Sequence, residues 1–176
     1  AIHALDLSVE DFGGPEFENC NELLNLKQPD LIREIHESYL EAGADIVETN
    51  SFNGSPEDMR DFGLTDQAHE LNFKAAQLAR EAADRYSKPN KPRFVAGSMG
   101  PTRKPITLTP GVRFDSLVED YHDQARALIE GGADLLVLET GQDTRNIKAG
   151  LIAFERIFNE ADYRLPVIVS GTIEPM

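Results

Sequence analysis

Four short polar strings stand where apolar runs of the chain end: Glu48-Thr49-Asn50-Ser51, Ser98-Met99-Gly100-Pro101-Thr102, Glu139-Thr140 and Ser170-Gly171-Thr172. Hydroxyls, a side-chain amide and two carboxylates gathered in one place suit a zwitterionic ligand, because an acid holds an ammonium while hydroxyls or backbone N–H groups hold a carboxylate. Glu139 is the stronger of the two acids. It follows the run Leu135-Leu136-Val137-Leu138, where a charge without a partner is costly. Any one of these strings also reads as ordinary loop polarity. The case rests on four strand ends together.

Other chemistries find less support. Gly97-Ser98-Met99-Gly100 lacks both Gly-x-Gly-x-x-Gly and a Lys-Ser/Thr ending, so it reads as a simple turn rather than a phosphate loop. His3, His36, His69 and His122 show no metal-ligand spacing; the last three fall in predicted helices and are expected on helix surfaces. Cys20 has no paired base nearby and reads as structural, and one cysteine makes neither an internal disulfide nor a cysteine-rich metal site. Glu119-Asp120 and Asp58 with Asp61 read as solvated charged faces. The chain carries 17 Lys plus Arg against 31 Asp plus Glu, a net charge of −14 with no segregated basic patch, which argues against nucleic acid as a partner. No stretch approaches the roughly 18 apolar residues of a membrane span, and no basic leader precedes an apolar run. With a lone cysteine, that predicts a soluble cytoplasmic protein.

The elements that position the strand ends follow from periodicity. Amphipathic helices are predicted from Pro29, from Thr65 or Asp66, from Asp115 as an N-cap, and over about Asp143 to Glu160. Their inward faces are Leu31, Ile35 and Tyr39; then Ala68, Leu71, Ala75, Leu78, Ala79 and Ala82; then Leu117, Val118, Tyr121, Ala125, Leu128 and Ile129; then Ile147, Leu151, Phe154 and Phe158. Strands are predicted at Asp45 to Thr49, Phe94 to Ser98, Leu135 to Leu138 and Val167 to Ser170. Continuous apolar strands alternating with helices mark a parallel α/β sheet, whose ligands bind beyond the carboxyl ends of the strands. The repeat of Glu41-Ala42-Gly43-Ala44-Asp45 as Glu130-Gly131-Gly132-Ala133-Asp134, each leading to a strand that ends in Glu-Thr, supports repeated units. Residues 1–28 read as an irregular lead-in with a Gly13-Gly14-Pro15 turn, and 29–176 as the α/β domain. At 176 residues the chain is short of the roughly 200–250 of a closed α/β barrel.

Several strings resemble the homocysteine-binding domain of cobalamin-dependent methionine synthase, within the homocysteine S-methyltransferase family. They are Cys20-Asn21-Glu22-Leu23-Leu24, Gln28-Pro29-Asp30, the run from Tyr39 to Phe52, Gly100-Pro101-Thr102, Glu130 to Asp134, Glu139-Thr140 with Asp143-Thr144, and Ser170-Gly171-Thr172-Ile173. The resemblance runs through essentially the whole chain in order. It implies a (β/α)₈ TIM-type barrel, here partial, that binds homocysteine and zinc at its C-terminal face. Zinc deprotonates the homocysteine thiol, which then takes a methyl group from methylcobalamin on another domain. By the same resemblance Glu139 anchors the homocysteine ammonium, and Thr49, Asn50 and Gly100 wall the pocket. The family's three zinc cysteines and its first-strand Asp-Gly-Ala-Met-Gly-Thr turn are absent from this chain.

The resemblance therefore implies a fragment holding about strands two to five, with no metal ligand or catalytic residue of its own and inactive alone. Its partners are homocysteine, the remaining half of the barrel, and cobalamin and folate domains. Two alternatives stay open: a betaine- or S-methylmethionine-type methyltransferase, and a non-catalytic α/β module for a small ligand. In a third arrangement a further segment or a second copy completes the barrel in trans.

Overall fold

The computed structural model describes residues 2–173; the side chain of His3 and the last three residues of the 29–176 span lie outside that description. The lead-in is more ordered than its lack of period suggests. It forms 3-10 turns at Ile2–Ala4, Pro15–Phe17 and Asn21–Leu23 and short helices α1 (Val9–Phe12) and α2 (Leu24–Lys27). Local chemistry explains α1: the Ser8 N–H and Oγ both donate to Asp11 Oδ2, at 2.8 and 2.9 Å, closing a capping box.

The repeating part then runs α3 (Pro29–Glu41), β1 (Ile46–Glu48), α4 (Pro56–Met59), α5 (Ala68–Tyr86), β2 (Phe94–Met99), α6 (Phe114–Glu130), β3 (Leu135–Gly141), α7 (Thr144–Ala161) and β4 (Val167–Gly171). The four strands form a parallel sheet in the order β1-β2-β3-β4, the α/β class expected. One face of the sheet, with Val47, Val95, Met99, Leu136 and Leu138, packs under α5, α6 and α7 in the main core. By strand alternation the other face carries Glu48, Ala96, Ser98, Leu135, Val137 and Glu139. Its apolar members Ala96, Leu135 and Val137 form their own small cluster.

The echo between Gly43-Ala44-Asp45 and Gly132-Ala133-Asp134 has a structural meaning. Gly43 and Gly132 both take positive φ, 111° and 107°, at helix ends. Each following aspartate then receives an arginine: Arg93 Nη1 donates to Asp45 Oδ1 at 3.0 Å and Arg80 Nη1 to Asp134 Oδ2 at 2.7 Å. The repeat thus anchors the start of two strands.

Several expectations need correction. In α3 the buried face is Ile32, His36 and Leu40, while Tyr39 is exposed, because the helix packs on α5 and the lead-in one residue round from the predicted stripe. Leu151 is exposed, and Ala149, Ala153 and Ile157 do its work beside Phe154 and Phe158. The third helix starts at Phe114, so Asp115 lies in its first turn rather than capping it. Gly97, Ser98 and Met99 belong to β2 rather than to a turn. Asp58 is buried, accepting from Ser55 Oγ at 2.8 Å and from the Arg103 N–H at 2.9 Å. His36 and His122 are buried too, at 6% and 8% exposure; only His69 of the three sits on a helix surface.

Burial pushes the His36 imidazole down from 6.5 to about 4. The proton is bound more weakly in the folded chain than in the unfolded one, so the stability involved is complete above pH 6.5 and is lost as the pH falls from there toward 4. Urea unfolding across that window should show the wild-type chain losing on the order of 3 kcal/mol more than His36→Gln. Parallel losses in the two proteins would contradict this.

Candidate functional site

The site is built where β1, β2 and β3 end. Ser98 near the end of β2 is 3% exposed, and its Oγ donates to Glu139 Oε1 at 2.6 Å. Its backbone N–H donates to Thr49 Oγ1 at 2.9 Å, and Thr49 Oγ1 lies 2.6 Å from Ser51 Oγ. Ser51 Oγ in turn donates to the Ser98 carbonyl at 2.7 Å. Three strand ends are joined by one chain of hydroxyl contacts that finishes on a carboxylate. Glu139 sits at an irregularity in the β3–β4 register, and Thr140 after it has φ of 57°. A left-handed conformation is unfavourable for a β-branched residue and recurs where a neighbouring side chain must be held in place.

The two carboxylates extend from the same side of the sheet by strand alternation. Glu48, on the same side of the sheet, has its carboxyl raised above the usual range, first by burial and then by the Glu139 charge. One of the two, Glu139, is oriented by a hydroxyl. An ammonium group carries the opposite charge and the donors to match.

The remaining predicted residues serve the frame. Thr49 is buried and its hydroxyl is engaged within the strand ends. Asn50 stitches the lead-in to the sheet: its Nδ2 donates to the Asn21 carbonyl at 2.7 Å, and Asn25 Nδ2 donates to its carbonyl at 2.8 Å. Glu48, Thr49 and Asn50 line a cleft of about 610 Å³ that lies between α3 and the sheet face carrying Ala96, Leu135, Val137 and Ile168, while Glu139, Ser98 and Gly100 stand outside its lining. Gly100 lies under the Phe52 ring, and its N–H donates to the Phe52 carbonyl at 2.8 Å.

Sequence reasoning missed the buried polar residues that fix the loops over this end. Gln124 Nε2 donates to the Ser51 carbonyl at 2.7 Å, Asn72 Nδ2 to the Gly54 carbonyl at 2.6 Å and Asn146 Nδ2 to Thr102 Oγ1 at 3.0 Å. Glu22 Oε1 accepts from the Asn53 N–H at 2.8 Å, and burial raises its carboxyl above the usual range. A signal existed: Asn72, Gln124 and Asn146 are amides lying within the apolar stripes of their helices, where a polar group needs a partner.

Zinc, the metal implied by resemblance, finds no fitting donor set. No three His, Cys, Asp or Glu side chains converge among the described residues. Cys20 is fully buried, and burial pushes its thiol up to about 11, far from the thiolate that a metal takes. Among the described residues, no helix is long and apolar enough to cross a membrane.

A family model described as homocysteine S-methyltransferase matches residues 3–176. Among solved structures, the chain is similar to the homocysteine methyltransferase MmuM from Escherichia coli. The metallated form is 25% identical with a TM-score of 0.75, over 98% of this chain and 60% of that one. The oxidized form is 27% identical with a TM-score of 0.68, over 88% and 56%, and the apo form is 27% identical with 0.66, over 88% and 53%. The chain therefore spans 60% or less of the length of these structures, and the fold it shares with them is a partial TIM-type barrel.

A Cβ added at Gly100 would stand 2.7 Å from Phe52 Cζ. Gly100→Ala should therefore displace the ring and destabilise the chain by about 1–3 kcal/mol in urea unfolding. An unchanged midpoint would show that the ring moves aside freely.

Proposed function

The chain belongs to the homocysteine S-methyltransferase family, and from that premise we propose that it forms the homocysteine-binding face of a methyltransferase, with Glu139 holding the substrate ammonium. The observation that carries the reading is the Ser98 hydroxyl on Glu139 Oε1 at 2.6 Å. It fixes one carboxylate oxygen and leaves the other for a ligand. Glu48 adds negative potential on the same side, which favours a cationic group and disfavours an anionic one. The homocysteine carboxylate then lies away from both acids, toward the backbone N–H groups of the strand-end loops.

Zinc supplies thiol activation in this reading, and its ligands belong to residues other than these. What this chain contributes is binding and orientation, and the chain alone is inactive. The run from Tyr39 to Phe52 marks the family as a whole, and Ser170-Gly171-Thr172-Ile173 favours a methionine-synthase type of enzyme. Its partners are then the rest of the barrel and the domains that carry methylcobalamin and folate. The likeness to MmuM supports equally a homocysteine methyltransferase of that kind. Assaying the protein as its gene encodes it with methylcobalamin, S-methylmethionine and betaine as separate donors distinguishes the two.

Calorimetric titration of homocysteine into the same protein tests the binding role. Loss of a charge-assisted hydrogen bond of about 2 kcal/mol weakens affinity about 30-fold. Glu139→Gln should show that loss with unchanged thermal unfolding. Wild-type affinity in Glu139→Gln would overturn the assignment.

A further inference from the structure

The end of β3 holds one residue more than the strand beside it. Leu138 pairs with Val169, and the next paired residues are Gly141 and Gly171, so β3 takes three steps where β4 takes two. The sides of the sheet report the same insertion. A Cβ added at Gly150 of α7 would stand 2.8 Å from Leu138 Cδ2, and a Cβ added at Gly141 would stand 2.7 Å from Ile147 Cδ1 of the same helix. Residues three apart in a regular strand face opposite ways; Leu138 and Gly141 both face α7. Glu139 and Thr140 therefore stand together opposite Ser170, as the two residues of a β-bulge.

The bulge concentrates its strain at Thr140. Among the described residues, the non-glycine residues with positive φ are Asn19, Thr140 and Asp162, at 68°, 57° and 55°. Asparagine and aspartate tolerate that region because their short polar side chains bond locally, whereas a β-branched residue is an outlier there. Such a conformation persists only where the surrounding chain is pinned. On one side Ser98 Oγ holds Glu139 at 2.6 Å. On the other, the Gly141 carbonyl accepts from the Thr172 N–H at 3.0 Å, and Asp143 caps α7 by accepting from the Arg145 N–H at 2.9 Å. Ser98 pairs with Val137, so Glu139 lies one pleat beyond it and its carboxylate reaches the hydroxyl on the diagonal. A bulge bends its strand and re-aims the side chain it carries.

We infer that Thr140 is a positioning residue: held left-handed as the extra residue of β3, it turns Glu139 so that one carboxylate oxygen meets Ser98 and the other meets the substrate ammonium. The inference rests on the reading above that Glu139 holds the ammonium. Deleting Thr140 restores a regular ladder, with Glu139 opposite Ser170 and Gly141 still opposite Gly171. The sheet does not need the extra residue; the carboxylate does.

Calorimetric titration of homocysteine and of 4-mercaptobutanoic acid, which lacks only the amino group, into variants of the protein as its gene encodes it tests the inference. A charge-assisted contact gives homocysteine an advantage of about 30-fold. Thr140→Gly and Thr140→Asn, which keep the left-handed conformation, should hold that advantage to within about threefold, while Thr140→Ile and deletion of Thr140 should reduce it at least about tenfold. The deletion and Thr140→Gly should unfold at or above the wild-type temperature, since both remove the strain. An advantage unchanged in the deletion and in Thr140→Ile overturns the inference, as does equal weakening of both ligands, the mark of a merely structural role. So does an advantage kept by Thr140→Ser alone, which puts the hydroxyl rather than the backbone on the ligand. If the deletion does not fold, the point variants decide alone. Glu139→Gln reads the premise separately: an advantage that it leaves intact removes the ammonium from Glu139, whereas one that it abolishes and the Thr140 variants leave intact overturns the role of Thr140 only.

Discussion

The ligand end of this molecule depends on the hydroxyl contacts that tie β1 to β2 and β2 to Glu139. Thr49 and Ser51 hold Ser98 by its backbone, and Ser98 holds the carboxylate. In a parallel sheet the strand ends are where backbone groups lose their ladder partners, so side chains must supply them. Here the same side chains that satisfy the backbone also orient an acid. That economy explains why so few residues at this end are free: Thr49, Asn50 and Ser51 are structural partners of one another and of the lead-in. It also explains why the loops above are fastened by buried amides rather than left mobile.

Much of the architecture was legible in the sequence because it rests on periodicity. The small-residue face of α5 and the apolar run of β3 are each readable from a dozen residues. The ordered lead-in was not, since it combines local capping at Ser8 and Asp11 with packing of Phe12 and Leu24 against Ile32 and Leu78. Nor were His36 and Asp58, whose burial is decided by elements far away in sequence. Tyr39 and Leu151 show the limit of the helical period: a stripe one residue wide of the true one fits the pattern as well. Glu139 could be found, because a charge ending an apolar strand demands a partner. Ser98 as that partner could not, because the register that brings Ser98 beside Val137 is a tertiary fact.

The open sheet and the missing donor set belong together. The face that carries Glu48 and Glu139 has exposed apolar groups at both margins, Ile46 at one and Ile168 at the other. Exposed apolar groups gathered on one face mark a surface suited to contact. In the reading proposed above, the donors that would activate a thiol lie outside the described residues. On that same reading, this chain's part is to bind and orient the amino acid.

That selection is read most directly by removing the ligand's ammonium rather than the protein's carboxylate. Homocysteine and 4-mercaptobutanoic acid differ only in the amino group, so their affinity ratio isolates its contact. In the gene-encoded protein the account predicts that homocysteine binds about 30-fold more tightly, and that Glu139→Gln brings the ratio close to one. A ratio that survives Glu139→Gln unchanged would show that the ammonium is held elsewhere, contradicting the central role given to Glu139.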